Sequence, residues 1–109
     1  MRVRKVAILG SSGLVAQRFQ QRLVNHPWFE LAAVYGSPRT AGKNLADLEW
    51  HLPETRPNIP PIKIRSMDTL LDDIGDFEVV FSALPSDVAI TVEKPLAERG
   101  IFDKGLKFR

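Results

Sequence analysis

Val6-Ala7-Ile8-Leu9-Gly10-Ser11-Ser12-Gly13-Leu14-Val15-Ala16 is the stretch on which the fold turns. Its leading apolar run suits a strand covered on both faces, as in a parallel sheet, so Arg4 to Gly10 reads as the first strand. From Gly13 to about Asn25, the apolar Leu14, Val15, Phe19, Leu23 and Val24 recur near helical spacing, with Gln17, Arg18, Gln20, Gln21 and Arg22 largely on the other face. That spacing predicts an amphipathic helix, ended near Pro27. Between the two, Gly10 takes backbone angles closed to other residues, and Gly13 lets a phosphate approach the helix start, where free amides and the positive helix end attract an anion. The pattern is GxxGxxA, looser than GxGxxG, and a glycine turn capped by Ser11 or Ser12 explains the same letters. Its position after a buried first strand favours dinucleotide binding.

Downstream, Glu30-Leu31-Ala32-Ala33-Val34-Tyr35 supplies a second apolar strand, terminated by Gly36-Ser37-Pro38. Strand, helix and strand in about 35 residues make a right-handed βαβ unit. Pro38, Pro53, Pro57, Pro60 and Pro61 break any long element across residues 38–61, leaving an excursion with at most one short helix around Leu45 to Trp50. Ile62-Lys63-Ile64 reads as a short strand. Ser66 is placed to cap a helix from Met67 to Ile74, ended by Gly75. Phe77 to Leu84 is the most strand-like run in the chain, and Pro85-Ser86-Asp87 opens a helix from Val88 to Arg99 with Pro95 as a kink or restart. The fold class is α/β: a Rossmann-like, doubly wound, mostly parallel sheet of about four strands with flanking helices, incomplete beside the six strands two mononucleotide-binding halves require.

Composition narrows the function classes. The chain has 109 residues, 44% hydrophobic and 26% charged, enough for one globular domain. No apolar run approaches the ~18 to 20 residues of a bilayer span, and the amino terminus lacks a signal-peptide pattern, so a cytoplasmic location without membrane association is expected. The absence of cysteine excludes disulfides, thiolate metal sites and a cysteine nucleophile among these residues. A net charge of +2 arises in the last nine residues, where Lys104, Lys107 and Arg109 outweigh Asp103. A basic tail is not a cationic face, and nucleic acid is not an expected partner.

Two further signals concern the ligand. An NAD-binding unit usually carries Asp or Glu at the end of its second strand, to hold the ribose hydroxyls. Here that end is Tyr35-Gly36-Ser37-Pro38-Arg39-Thr40, with no carboxylate to repel a 2′-phosphate. Arg39 can grip such a phosphate through two nitrogens, Ser37 and Thr40 donate hydroxyls and Lys43 adds charge, which favours NADP over NAD. A solvated loop pair is the bland alternative for Arg39 and Lys43. Ser82-Ala83-Leu84-Pro85, at the end of the fourth strand, should face the same crevice as Gly10 to Gly13, its small residues letting a coenzyme lie against the backbone; a plain strand-to-helix turn is the alternative. His26 follows a helix end, and His51 lies in a proline-rich loop with no carboxylate at a useful spacing. Trp28, Phe29 and Trp50 read as anchors of loops to the sheet, and Asp72, Asp73 and Asp76 as solvated acids rather than a metal site.

The motifs Val6 to Val15, Gln17-Arg18-Phe19, His26 to Leu31, Ser37-Pro38-Arg39-Thr40-Ala41-Gly42-Lys43 and Val80 to Ala89, taken in order, resemble the amino-terminal coenzyme domain of the aspartate-semialdehyde dehydrogenase family, most closely its archaeal and fungal branch. The resemblance covers residues 3–100, and Phe81 to Ala89 is its most distinctive part. It implies reduction of L-aspartyl 4-phosphate to L-aspartate 4-semialdehyde with NADPH, on the route to lysine, methionine and threonine, by a homo-oligomer. By matching positions, Gly10, Ser11, Ser12, Gly13, Leu14 and Val15 form the pyrophosphate loop. Ser37, Arg39 and Thr40 would hold the 2′-phosphate, and Ser82, Ala83, Leu84 and Pro85 the inner face of the coenzyme. The cysteine that forms the family's thioester and its acid/base histidine belong to a later substrate domain and have no counterpart here, so these residues alone are expected to be inactive, with no catalytic or metal-binding residue among them.

Two departures stand out. Ala16 takes the place of the glycine common at the third motif position. After the coenzyme-binding residues 1–100, the sequence continues as a basic tail, Ile101 to Arg109, where the family proceeds to another buried strand; the reading is a truncated, frameshifted or deliberately cut product, expected to associate or to be marginally stable. Malonyl-CoA reductase and N-acetyl-glutamyl-phosphate reductase are the enzymatic alternatives. A non-catalytic nucleotide-binding or interaction module, with the tail and open sheet edge recruiting a partner, is the alternative of another class.

Overall fold

Four consecutive residues, Val6 to Leu9, are wholly inaccessible to solvent and form the inner part of β1 (Arg4–Leu9), around which the other elements assemble. The computed structural model describes residues 3–85 together with 88, 91, 92, 94, 95 and 98. After β1 come α1 (Leu14–Leu23), β2 (Phe29–Gly36), a 3₁₀ turn (Leu45–Asp47), β3 (Arg65–Ser66), a longer 3₁₀ helix (Met67–Asp76) and β4 (Val79–Ser82). The strands pair in parallel in the order β3-β2-β1-β4, as expected of a doubly wound sheet. Parallel neighbours need crossovers, and here they lie on both faces. Val6, Ile8, Leu31 and Val34 pack with Ala16, Leu23 and the excursion's Leu45, Ile59 and Ile64. Ala7, Leu9, Ala33 and Tyr35 pack on the other face with Leu70, Phe77 and Val80.

A bulge sets which β2 residues face which layer. Val6 pairs with Leu31 but Ala7 pairs with Ala33, so Ala32 is an extra residue in the ladder. Strict alternation would place residues 31 and 33 on one face; the bulge sends Leu31 toward α1 and Ala33 to the opposite core.

Helix α1 buries Leu23 and packs Phe19 and Val24 against the core, as its apolar spacing predicts, but the buried stripe is shifted from it at the other positions. Ala16, Gln17, Gln20 and Leu23 are buried, whereas Leu14 and Val15 are 59% and 48% exposed. The excursion accounts for the difference. It folds over α1, and Gln17 uses both ends of its amide on it: Nε2 donates to the Glu49 carbonyl at 2.7 Å, and Oε1 accepts from the His51 amide at 2.7 Å. A loop that packs against a helix carries backbone groups needing partners, and a buried glutamine meets them where leucine would not. The helix ends at Leu23, and Asn25 takes the left-handed conformation (φ 58°) that asparagine tolerates before the chain turns into β2.

The third strand lies later than Ile62-Lys63-Ile64. Those residues hydrogen-bond to the excursion instead: the Leu45 amide donates to the Ile62 carbonyl, the Gly42 amide to the Ile64 carbonyl, and the Ile64 amide to the Lys43 carbonyl. The ladder with β2 forms only at Arg65 and Ser66. Ser66 caps the next helix as predicted, accepting from the Asp68 amide at 3.1 Å. That helix is 3₁₀ and runs through Gly75 to Asp76. At about 2 Å rise per residue it carries the chain back over β2 and β1 to β4 in fewer residues than an α-helix needs. Ser86 and Asp87, where the last helix is expected to open, and the tail Ile101 to Arg109 lie outside the described residues. The helix expected from Val88 to Arg99 is described only at residues 88, 91, 92, 94, 95 and 98, all helical.

Candidate functional site

The ligand crevice of a doubly wound sheet opens at the carboxyl ends of the strands where the winding reverses, here between β1 and β4. The two turns at that point touch. Gly10 continues the ladder by donating to the Tyr35 carbonyl at 2.7 Å, then turns at φ 111°, a conformation that favours glycine. A Cβ at Gly10 would lie 3.4 Å from the Ala83 Cβ and 3.6 Å from that of Ala16. The Ala83 amide in turn donates to the Leu9 carbonyl at 2.8 Å. Ser82, the last residue of β4, is buried, Ala83 and Leu84 are half-buried and Pro85 is exposed, so Ala83 packs beside the glycine turn.

Gly13 is the N-cap residue of α1 and offers no side-chain cap; neither Ser11 nor Ser12 supplies one. The helix start therefore presents its amides uncapped, and its first turn contains no acidic residue to repel an anion. A Cβ at Gly13 would meet nothing within 4 Å. The protein's own packing thus does not demand glycine there, and the position faces open space. Ser12, Leu14 and Val15 are exposed around it. A hollow of about 620 Å³, lined by Leu14, Val15, Phe19, His51, Leu52 and Pro53, lies alongside.

The loop after β2 is drawn to the same crest. Ser11 is buried and its Oγ donates to Thr40 Oγ1 at 3.1 Å; Thr40 Oγ1 donates to the Ser37 carbonyl at 3.3 Å. Thr40 thus spends its hydroxyl within the protein, latching one loop to the other. Ser37 and Arg39 are exposed, and Arg39 has no hydrogen-bonding or ionic partner among the described residues. Arg18 pairs with Glu54, Arg56 lies over Trp50 and Arg65 pairs with Asp73 and Asp76, so Arg39 differs from them in being free. Gly36 reads in the sequence only as a strand end, but it makes the latch possible by leaving room for both hydroxyls. The helical spacing puts Gln20 on the polar face, but it is buried and donates to the Ser11 carbonyl at 3.0 Å. Neither position carries a signal in the letters alone, because each acts through a contact made in space.

His26 accepts from the Trp28 amide through Nδ1 and lies against Phe29, while Trp28 is 53% exposed and its ring meets His26 edge-on. His51 does have an acidic neighbour, with Nδ1 3.5 Å from Glu49 on the surface. Asp73 and Asp76 are not merely solvated. Asp73 accepts from the Tyr35 hydroxyl at 2.7 Å and from Thr69 at 2.8 Å, and Arg65 bridges to Asp76 at 3.0 Å, tying β2 and β3 to the 3₁₀ helix.

Burial raises the Tyr35 hydroxyl well above the usual phenol range, and its bond to Asp73 adds to the rise. For Asp73, burial acts to raise the carboxyl, but the hydrogen bonds from Tyr35 and Thr69 and the Arg65 charge outweigh it and hold the group below the usual carboxylate range. Asp73 therefore contributes stability that is complete above about pH 4 and fades as pH falls through its lowered folded value. Tyr35 contributes stability that is complete below about pH 10 and fades above it, where the unfolded chain releases a proton the fold retains. Melting curves between pH 8 and 11 check this: Tyr35→Phe should flatten the alkaline decline, and an unchanged slope would count against the cluster.

A parallel sheet with this strand order and an uncapped glycine turn at its switch point defines a Rossmann-like nucleotide-binding domain. Residues 5–109 match the family described as semialdehyde dehydrogenase, NAD binding domain, and the chain belongs to that family. Aspartate-semialdehyde dehydrogenase of Methanothermobacter thermautotrophicus is 41% identical over 100 residues, which are 88% of this chain and 28% of that protein. The crystal structure of the Candida albicans aspartate-semialdehyde dehydrogenase with NADP superposes with a TM-score of 0.73 at 38% identity, covering 85% of this chain and 26% of that one. A Rex-family repressor in complex with β-NADH shares the fold alone, with a TM-score of 0.67 at 18% identity over 90% of this chain and 42% of that one. The chain spans 28% of the archaeal relative's length, so what it matches is the nucleotide-binding part. No described helix is long and apolar enough to cross a membrane.

Proposed function

We propose that this chain is the NADP(H)-binding portion of an aspartate-semialdehyde dehydrogenase. The complete enzyme would reduce L-aspartyl 4-phosphate to L-aspartate 4-semialdehyde as a cytoplasmic homo-oligomer serving lysine, methionine and threonine synthesis. The observation that carries the coenzyme reading is the uncapped start of α1 with open space where a Gly13 side chain would be. Ser11 to Val15 would hold the pyrophosphate, Ser37 and Arg39 the 2′-phosphate, and Ser82 to Pro85 the inner face. Thr40 supports this set by fixing the loop rather than through a free hydroxyl. When bound, the nicotinamide supplies a hydride for acyl reduction. With no cysteine in its 109 residues, this chain binds and orients; a thioester nucleophile must come from elsewhere.

Gly13→Ala tests the reading cleanly, because the added methyl meets no protein atom within 4 Å and φ is an ordinary −72°. Changing the cap residue should cost about 1 kcal/mol or less. Affinity for NADPH, measured by titration calorimetry, should fall at least about tenfold as the methyl enters the phosphate's space. Unchanged affinity would put the coenzyme elsewhere.

A further inference from the structure

We propose that Gln20 is a positioning residue that aims the Ser12 amide at the coenzyme's pyrophosphate. The inference rests on the coenzyme reading and adds a residue that lies outside the glycine motif. Gln20 sits in α1 with 1% of its surface exposed, and its Nε2 donates to the Ser11 carbonyl at 3.0 Å. A trans peptide is planar, so its carbonyl and the following N–H point in opposite directions. Holding the Ser11 carbonyl toward the interior therefore turns the Ser12 N–H away from Gln20, toward the outside of the loop. Ser12 is exposed, and it makes no hydrogen bond among the described residues.

The chemistry favours this role over simple packing. Gln20 lies on the same buried stripe as Ala16 and Leu23, where an apolar side chain would fill the space without an amide to satisfy. The amide's hydrogen bond goes to a peptide whose flip would set a carbonyl oxygen, instead of a donor, against an arriving anion. Ser11 is held a second time through its hydroxyl on Thr40, so the residue before the exposed amide is fixed at both ends. The loop thereby meets a diphosphate with its donor already oriented.

The test uses the whole 109-residue chain, the variant Gln20→Met, and three probes: NADPH, inorganic pyrophosphate and adenosine 2′-monophosphate. Methionine keeps the length and volume but removes the donor. Affinity for NADPH and for pyrophosphate should fall about tenfold, the worth of one hydrogen bond to a charged group. Affinity for adenosine 2′-monophosphate, which lacks the diphosphate, should stay within about twofold. A parallel loss on all three probes, or no loss on any, overturns the role of Gln20. A wild-type chain that binds none of them overturns the coenzyme reading itself. Should Gln20→Met fail to fold, the wild-type chain decides: pyrophosphate must shift the Ser12 amide resonance downfield, and an unmoved Ser12 resonance overturns the proposal without a variant.

Discussion

Gly36→Ala should be the most damaging single-methyl change in the described part of the chain. A Cβ at this position would collide with Thr40 Oγ1 and lie 2.8 Å from Ser11 Oγ and 2.9 Å from Ile64 Cγ2. The backbone there is ordinary strand, so the penalty is steric. Gly36 is buried at the end of β2 and pairs with Ser66 of β3, which limits how far the backbone can yield. Overpacking of this kind costs about 1–3 kcal/mol, and losing the Ser11–Thr40 hydrogen bond adds about 1 kcal/mol. In a domain of this size that should lower the melting temperature by roughly 10 °C or more. Thermal denaturation followed by circular dichroism checks it. The double variant Gly36→Ala/Thr40→Ala removes the nearest obstructing atom and should be less destabilised than the two single variants summed. A melting temperature for Gly36→Ala within about 2 °C of wild type would mean the hydroxyls do not converge on this glycine.

Gly36 also shows what kind of information the letters withhold. Val6 to Leu9 could be read because burial on both faces writes itself as a continuous apolar run, and those residues are the centre of the sheet. The glycine turn could be read because its angles and its openness are local properties of Gly10 and Gly13. The buried face of α1 could not, because it depends on where a proline-broken loop returns. Gln17 and Gln20 look like solvent-facing residues until Glu49, His51 and Ser11 are placed against them. The same holds for Ala32, whose extra place in the ladder reverses the parity of β2 although alanine suits either face. Ile62 and Ile64 have the residue types of a strand, but they hydrogen-bond to residues 42–45, and the true ladder falls to the less strand-like Arg65 and Ser66. Pattern reading found the elements; long-range pairing decided their faces and registers.

The charge on the β2 loop is left unopposed among the described residues. With Thr40 engaged internally, Arg39 is the cation in the Ser37–Thr40 segment with its guanidinium free, and the segment holds no carboxylate. A guanidinium that binds a phosphate through two nitrogens contributes roughly 1.5–3 kcal/mol, a factor of about 10 to 150 in affinity. Arg39→Ala should therefore weaken NADPH binding by about that factor. NADH, which has a 2′-hydroxyl in place of the phosphate, should bind variant and wild type alike. The melting temperature should stay put, since Arg39 is exposed and holds no protein partner among the described residues. Lys43, exposed a turn further along, supplies the remaining charge, so Arg39→Ala/Lys43→Ala should lose more preference than either change alone. The wild-type chain should prefer NADPH to NADH, and raising the salt concentration should shrink that preference while leaving the double variant's nearly flat. A variant that keeps its full discrimination between the two coenzymes would show that the 2′-phosphate is not read at the end of β2.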